Sequence, residues 1–171
     1  MRIPLSYSIW LMPEGNTKNK LTTLIEKLRL EYGGPNFEPH VTLIGGFVKE
    51  EKVLLEKTEQ LASRLSQFTV SIKGASFHDE FFRSFFLNVE QTPEFLKARR
   101  IACDIFDFEE TDYIPHMSLF YGDVDKDTKQ SMIKKSGLRN LSLTFSVQSL
   151  YLVKNDEVKL KWKKLSEFKL K

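Results

Sequence analysis

Apolar positions along the chain alternate between two periods, and the alternation predicts the order of elements. Residues 5–12 (Leu-Ser-Tyr-Ser-Ile-Trp-Leu-Met) read as a strand closed by Pro13-Glu14-Gly15. Leu21, Leu24, Ile25, Leu28 and Leu30 then recur at helical spacing, with Asn16 or Thr17 as the expected cap and Gly33-Gly34-Pro35 as the stop. A strand is expected at about 39–45, closed by Gly45-Gly46. Leu54, Leu55, Leu61 and Leu65 mark a second helix over roughly 50–66, and strand-like runs follow at 68–74 and 82–90. Thr92-Pro93-Glu94 opens another helix with proline in its first turn, its apolar stripe being Phe95, Leu96, Ile101 and Ile105. A loop at 107–114 leads into a strand at about 114–121. Asp125 to Lys135 reads as a short helix. The tail reads as strands at 141–153 and 158–168, broken at Lys154-Asn155-Asp156-Glu157.

Strand, helix, loop and strand thus occur twice in the same order. The second strand of each set carries the same short phrase: Pro39-His40-Val41-Thr42-Leu43 in the first half and Pro115-His116-Met117-Ser118-Leu119 in the second. The period of two in a strand puts His40 with Thr42 on one face, and His116 with Ser118 on one face. The expected fold is therefore α+β and bilobal, with a pseudo-two-fold relation between halves. Each lobe is an antiparallel sheet with helices on its outer face, and the two His strands line a central cleft. With 171 residues and no low-complexity linker, residues 1–171 are expected to form a single domain.

Composition narrows the chemistry. The net charge of +3, from 26 basic and 23 acidic residues, is too balanced for nucleic-acid wrapping but does not oppose a small anionic ligand. The lone Cys103 excludes an internal disulfide and a site of several thiolates. Met1-Arg2-Ile3-Pro4 carries no long apolar signal region, and no stretch approaches the roughly 18 apolar residues of a membrane span. A cytoplasmic, reducing location and a monomer without membrane contact are the expectations.

Two of the three histidines lie in the repeated phrase. Hydrolysis of a cyclic phosphodiester needs a water made nucleophilic on one side of phosphorus and a proton delivered to the departing ribose oxygen on the other. Imidazole can do either near neutral pH. Thr42 and Ser118 can donate to the non-bridging oxygens without adding charge. The scheme needs neither metal nor cofactor. The sequence leaves either imidazole free to take either role; the assignment carried forward is His116 activating water and His40 protonating the leaving oxygen.

The chain resembles the 2H phosphoesterase superfamily, and within it the small cyclic phosphodiesterases of plant and fungal type. The resemblance rests on Ser8-Ile9-Trp10-Leu11-Met12-Pro13, on Phe37 to Leu43 and on Pro115 to Tyr121, and it spans nearly the whole chain. It implies opening of nucleoside 2′,3′-cyclic phosphates to 2′-phosphates, action on ADP-ribose 1″,2″-cyclic phosphate, and independence of metal. It matches His40 and His116 to the catalytic histidines, Thr42 and Ser118 to the phosphate-holding hydroxyls, and Tyr121 to a tyrosine near the phosphate or its water. The alternatives are an enzyme acting on RNA ends or on 2′–5′ linkages, and a non-catalytic nucleotide or RNA binder.

Other residues read more plainly. Tyr121 lies an odd number of positions beyond His116, so it reaches the cleft only if the strand bends there or at Gly122. Phe82 and Arg83 are candidate substrate contacts within Phe81 to Phe86. Trp10 is read as core, His78 as a solvated loop residue, and Gly45-Gly46 as strand termination.

Overall fold

The computed structural model describes residues 5–109 and 112–171. The N-terminal tetrapeptide, and residues 110–111 of the expected 107–114 loop, lie outside the described residues.

The first strand–helix–strand set is β1 (Ser6–Leu11), α1 (Gly15–Tyr32) and β2 (Val41–Phe47). After α2 (Glu51–Arg64) and β3 (Phe68–Ser76), the second set is β4 (Phe85–Val89), α3 (Pro93–Phe106) and β5 (His116–Phe120). The chain ends with α4 (Lys126–Ser136), β6 (Ser142–Val147), β7 (Ser149–Asp156) and β8 (Lys161–Lys169).

Among the described residues, eight strands form one antiparallel sheet in the order β6-β3-β4-β5-β2-β1-β7-β8. The lobes are its two four-stranded halves. They join where Val41 on β2 stands opposite Met117 on β5, next to the two histidines. Alternation separates the faces. Ile9, Leu11, Val41, Leu43, Met117 and Leu119 belong to the buried core with Leu21, Ile25 and Leu54 from the helices. Ser8, Trp10, His40, Thr42, His116 and Ser118 line the opposite face.

The helices cross between halves. Helix α1 packs on β5 of the other half, and α3 spans the seam, packing on β2 of the other half and on β3 of its own. Helix α3 starts as its sequence predicts: Pro93 sits in the first turn and the Thr92 side chain accepts a hydrogen bond from the Phe95 amide at 3.3 Å.

Several expectations need correction. Helix α1 starts at Gly15 with Glu14 in the cap position and no side-chain cap, so neither Asn16 nor Thr17 caps it. The run at 82–90 is not one strand: Phe81–Arg83 forms a single 3-10 turn and β4 starts at Phe85. The 141–153 run divides at Gln148 into β6, at one edge of the sheet, and β7, which pairs with β1 in the other lobe. Residues 154–156 continue β7, and the turn falls at 157–160. Gly45-Gly46 lies inside β2 and does not end it. None of the helices among the described residues is long and apolar enough to cross a membrane.

Candidate active site

A cleft of about 300 Å³ opens on the face away from the helices. It brings together every candidate from the sequence: His40, Thr42, Phe82, Arg83, His116, Ser118 and Tyr121 all line it.

The two histidines are held in the same way. His40 Nδ1 lies 2.7 Å from the Glu38 carbonyl, and His116 Nδ1 lies 2.7 Å from the Ile114 carbonyl. A carbonyl only accepts, so each Nδ1 carries the proton and donates it. Each Nε2 is left for chemistry. The anchoring carbonyl stands two residues before the histidine in both copies, so the repeated phrase fixes the tautomer through its own backbone.

Their surroundings differ. His40 is buried, and the indole of Trp10 stacks on its ring at 3.4 Å between centroids with 5° between planes. Register explains the placement, because Trp10 on β1 stands opposite Thr42 on β2. Burial, with a smaller push from the nearby His116, lowers the His40 pKa from 6.5 to about 4 against the opposing Glu38 carbonyl and carboxylate. His116 is half-buried. Its pKa is lowered first by burial and then by Arg83 and His78, against the Ile114 carbonyl and Glu80. Both imidazoles are therefore held neutral at pH 7 by the protein around them. Trp10, read from sequence as core, is buried as expected and also forms the wall that orients His40.

The hydroxyls sit on either side of the seam. Ser118 Oγ donates to the Phe82 carbonyl at 2.9 Å, tying β5 to the 3-10 turn. The Thr42 backbone carbonyl accepts from the Tyr113 hydroxyl at 2.8 Å, so the residues just ahead of His116 are fastened to the strand of the other lobe. The Arg99 guanidinium stacks on the Tyr113 ring at 3.3 Å and donates to the next carbonyl along β2, that of Leu43. With one paired position between β2 and β5, this clamp carries much of the seam.

Tyr121 reaches the cleft because β5 ends at Phe120 and the chain turns sharply. A Cβ on Gly122 would come within 2.6 Å of the Phe120 ring, so this bend accepts no side chain there. The Tyr121 ring stacks on Phe37 at 3.9 Å and contacts Phe82 and Trp162 edge-on or tilted. Burial raises its pKa, so the phenol stays protonated and can donate; its hydroxyl lies close to that of Ser118. Phe82 is part of this aromatic wall. Arg83 is held by Glu80 through Nε at 2.9 Å and Nη2 at 2.6 Å, at the rim beside His116. His78 stands behind this pair: its Nδ1 lies 4.0 Å from Glu80, and its ring meets Phe86 edge-on.

Sequence reasoning missed Tyr113, Trp162, Glu80 and a buried polar group, Ser6, Ser8 and Asn155, all of which line the cleft. Ser8 lay within a phrase already singled out, and its alternation with Trp10 was the available signal. Nothing local marks Asn155 or Trp162, whose place depends on pairing between distant strands. Among the described residues there is no group of three or more His, Cys, Asp or Glu side chains placed to hold a metal ion.

Comparison with known proteins places the chain in a family. Residues 17–159 match the family described as the 2′-5′ RNA ligase superfamily. The chain is 29% identical over 154 residues to a cyclic phosphodiesterase of Arabidopsis thaliana, covering 88% of this chain and 85% of that one. It is 30% identical over 107 residues to a 2′,3′-cyclic-nucleotide 3′-phosphodiesterase of Yarrowia lipolytica, covering 58% of this chain and 50% of the relative. In fold it is similar to TT0787 of Thermus thermophilus (TM-score 0.66, 16% identity, 96% and 97% of the two chains). It is also similar in fold to E. coli LigT complexed with 3′-AMP (TM-score 0.63, 15% identity, 98% and 99%). The chain belongs to the 2′-5′ RNA ligase superfamily, the 2H phosphoesterases expected from its paired motifs, and is a phosphodiesterase of that superfamily.

Proposed function

We propose that the protein hydrolyses small cyclic phosphates, nucleoside 2′,3′-cyclic phosphates to 2′-phosphates and ADP-ribose 1″,2″-cyclic phosphate, by paired histidine acid–base catalysis without metal. The observation that carries this reading is the convergence of two identically anchored imidazoles in one cleft with Thr42 and Ser118.

The cyclic diester seats its phosphorus between the two Nε2 atoms. Thr42 and the protonated Tyr121 donate to the non-bridging oxygens, and Ser118 joins them by turning its one hydroxyl proton from the Phe82 carbonyl to the phosphate. His116, on the half-exposed side where water enters, takes the proton of the attacking water. His40, shielded by Trp10, gives a proton to the departing ribose oxygen. Both imidazoles are neutral before substrate binds, so the acid acquires its proton together with the anionic substrate, whose charge favours imidazolium. Holding both groups neutral beforehand keeps two like charges from facing each other. The cleft volume, at the small end for ligand sites, suits a mononucleotide or a similar cyclic phosphate.

The test is a substrate panel with His40→Ala and His116→Ala. Each substitution is expected to lower kcat by ~10²–10⁴-fold, and saturating EDTA is expected to leave the wild-type rate unchanged. Turnover of RNA oligomers without turnover of cyclic mononucleotides would overturn the substrate class. Full activity in both variants would overturn the mechanism, and loss in EDTA restored by a divalent ion would overturn the metal-free scheme.

A further inference from the structure

The cleft continues past the histidines along β1. Ser6 faces Asn155 on β7, Ser8 faces Gly45 on β2, and Trp10 faces Thr42. Ser6, Ser8 and Trp10 share a face, with neighbours on it about 7 Å apart along the strand. One wall of the cleft thus runs from the Trp10–His40–Thr42 end to a polar end formed by Ser8, Ser6 and Asn155. These three side chains are 3%, 1% and 8% exposed, yet all line the cleft.

Their hydrogen bonds show spare capacity. Ser8 Oγ lies 3.2 Å from Asn155 Oδ1 and 3.0 Å from Asn155 Nδ2, and Nδ2 is also 3.4 Å from Ser6 Oγ. A hydroxyl set against both ends of one carboxamide can donate to Oδ1 or accept from Nδ2 and still turn its other function outward. Oδ1 keeps a second lone pair. Buried polar groups need hydrogen-bond partners, and a wall meant only to pack is made of apolar residues at lower risk.

The floor between the two ends is bare backbone. A Cβ on Gly45 would stand 2.8 Å from Ser8 Cβ and 3.2 Å from Thr42 Cγ2, so no other residue fits there without displacing both hydroxyl residues. A flat ring can cross this floor while its phosphate stays beside Thr42, and Ser8 then lies within the span of a nucleoside.

We propose that Ser8 and Asn155, backed by Ser6, form a subsite that hydrogen-bonds the polar edge of the substrate's nucleobase and sets base preference. The subsite rests on the cyclic-nucleotide reading above. A carboxamide with an adjoining hydroxyl offers donor and acceptor side by side, the pattern that pairs with a base edge.

The experiment measures kcat/KM for the 2′,3′-cyclic phosphates of adenosine, guanosine, cytidine and uridine, and for ribose 2′,3′-cyclic phosphate, which has no base. Wild type is compared with Ser8→Ala and Asn155→Asp. Asn155→Asp replaces a donor by an acceptor, so it is expected to shift the ranking toward guanosine by roughly tenfold, the scale of one base-edge contact. Ser8→Ala is expected to compress the ranking. The same wild-type protein is titrated with adenosine 2′-phosphate and with ribose 2′-phosphate while the Asn155 side-chain amide is followed by NMR. That signal is expected to move with the nucleotide and to stay in place with the base-free sugar, a readout that needs no variant to fold. Equal losses on every substrate, or an amide signal that ignores the base, would overturn the subsite alone. Wild-type inactivity on all five cyclic phosphates would overturn the functional reading and the subsite with it.

Discussion

The buried imidazole of His40 makes the stability of the protein depend on pH in a defined way. Folding moves its pKa from 6.5 to about 4. At about 1.4 kcal/mol per pKa unit, the folded environment disfavours its charged form by about 3 kcal/mol. Above pH 6.5 the residue is neutral in both states and contributes nothing. As pH falls from 6.5 toward 4, the unfolded chain takes up the proton first, so stability is lost progressively, by about 1 kcal/mol at pH 5.5 and about 3 kcal/mol at pH 4. Below that both states are protonated and this loss stops growing. The measurement is urea unfolding at pH 7.5, 5.5 and 4 for wild type and His40→Gln; the glutamine variant keeps every other titrating group, so the difference in slope isolates His40. NMR supplies a second readout, since the chain has three histidines and their ring-proton signals can be followed one by one. The His40 signal is expected to stay at its neutral position down to pH 5, and to titrate at higher pH in Trp10→Ala, where one face of the ring loses its cover. A His40 signal with a midpoint at or above 6.5 in the free wild-type protein would refute the reasoning. So would equal acid losses in wild type and His40→Gln.

Three further outcomes are expected. Because both imidazoles are held below their ordinary pKa, kcat/KM should trace a bell with its maximum below pH 6.5, and kcat should peak at higher pH once the bound phosphate favours imidazolium; a flat pH–rate profile contradicts this. Gly45→Ala should lower stability by about 1–3 kcal/mol, seen as a fall in Tm, and raise KM, because its methyl group meets Ser8 and Thr42; an unchanged KM would show that the floor is not used. Tyr113→Phe frees the Thr42 carbonyl and should remove about 1 kcal/mol of stability. It should lower kcat more than it raises KM, and unchanged kcat would separate this clamp from catalysis.

What the sequence revealed, and what it hid, follows the range of the interactions. The paired phrases place all four central side chains, because period two in a strand is local and each histidine is anchored by a carbonyl two residues upstream. Helix α3 announces itself through Thr92 and Pro93 for the same reason. The 141–153 run concealed its division, since Gln148 between two apolar stretches is no turn signal and only tertiary pairing sends β6 and β7 to different lobes. Trp10 reads as core in the sequence, and its place opposite Thr42 makes it the cover of His40 as well. Asn155 looked like part of a turn; β7 continues through it because Ser6 and Trp162 pair with it on either side. The crossed helices were equally invisible, as helical periodicity shows that a helix has an apolar face and not which strand it covers.

The sheet order has a consequence for how the chain acquires its structure. Strand β1 is synthesised well before β7, yet it lies between β2 and β7, and the pairing of Ser6 with Asn155 joins residues far apart in the sequence. Such closures are entropically expensive and late, so folding is expected to be slow for a protein of this size and to finish only after the C-terminal hairpin of β7 and β8 has been made. Until then one edge of β1 is an open template for other chains, and the polar end of the cleft does not exist. A chain ending at Val147 would retain His40, His116 and helices α1 to α4 but would present that edge permanently, making aggregation its expected fate.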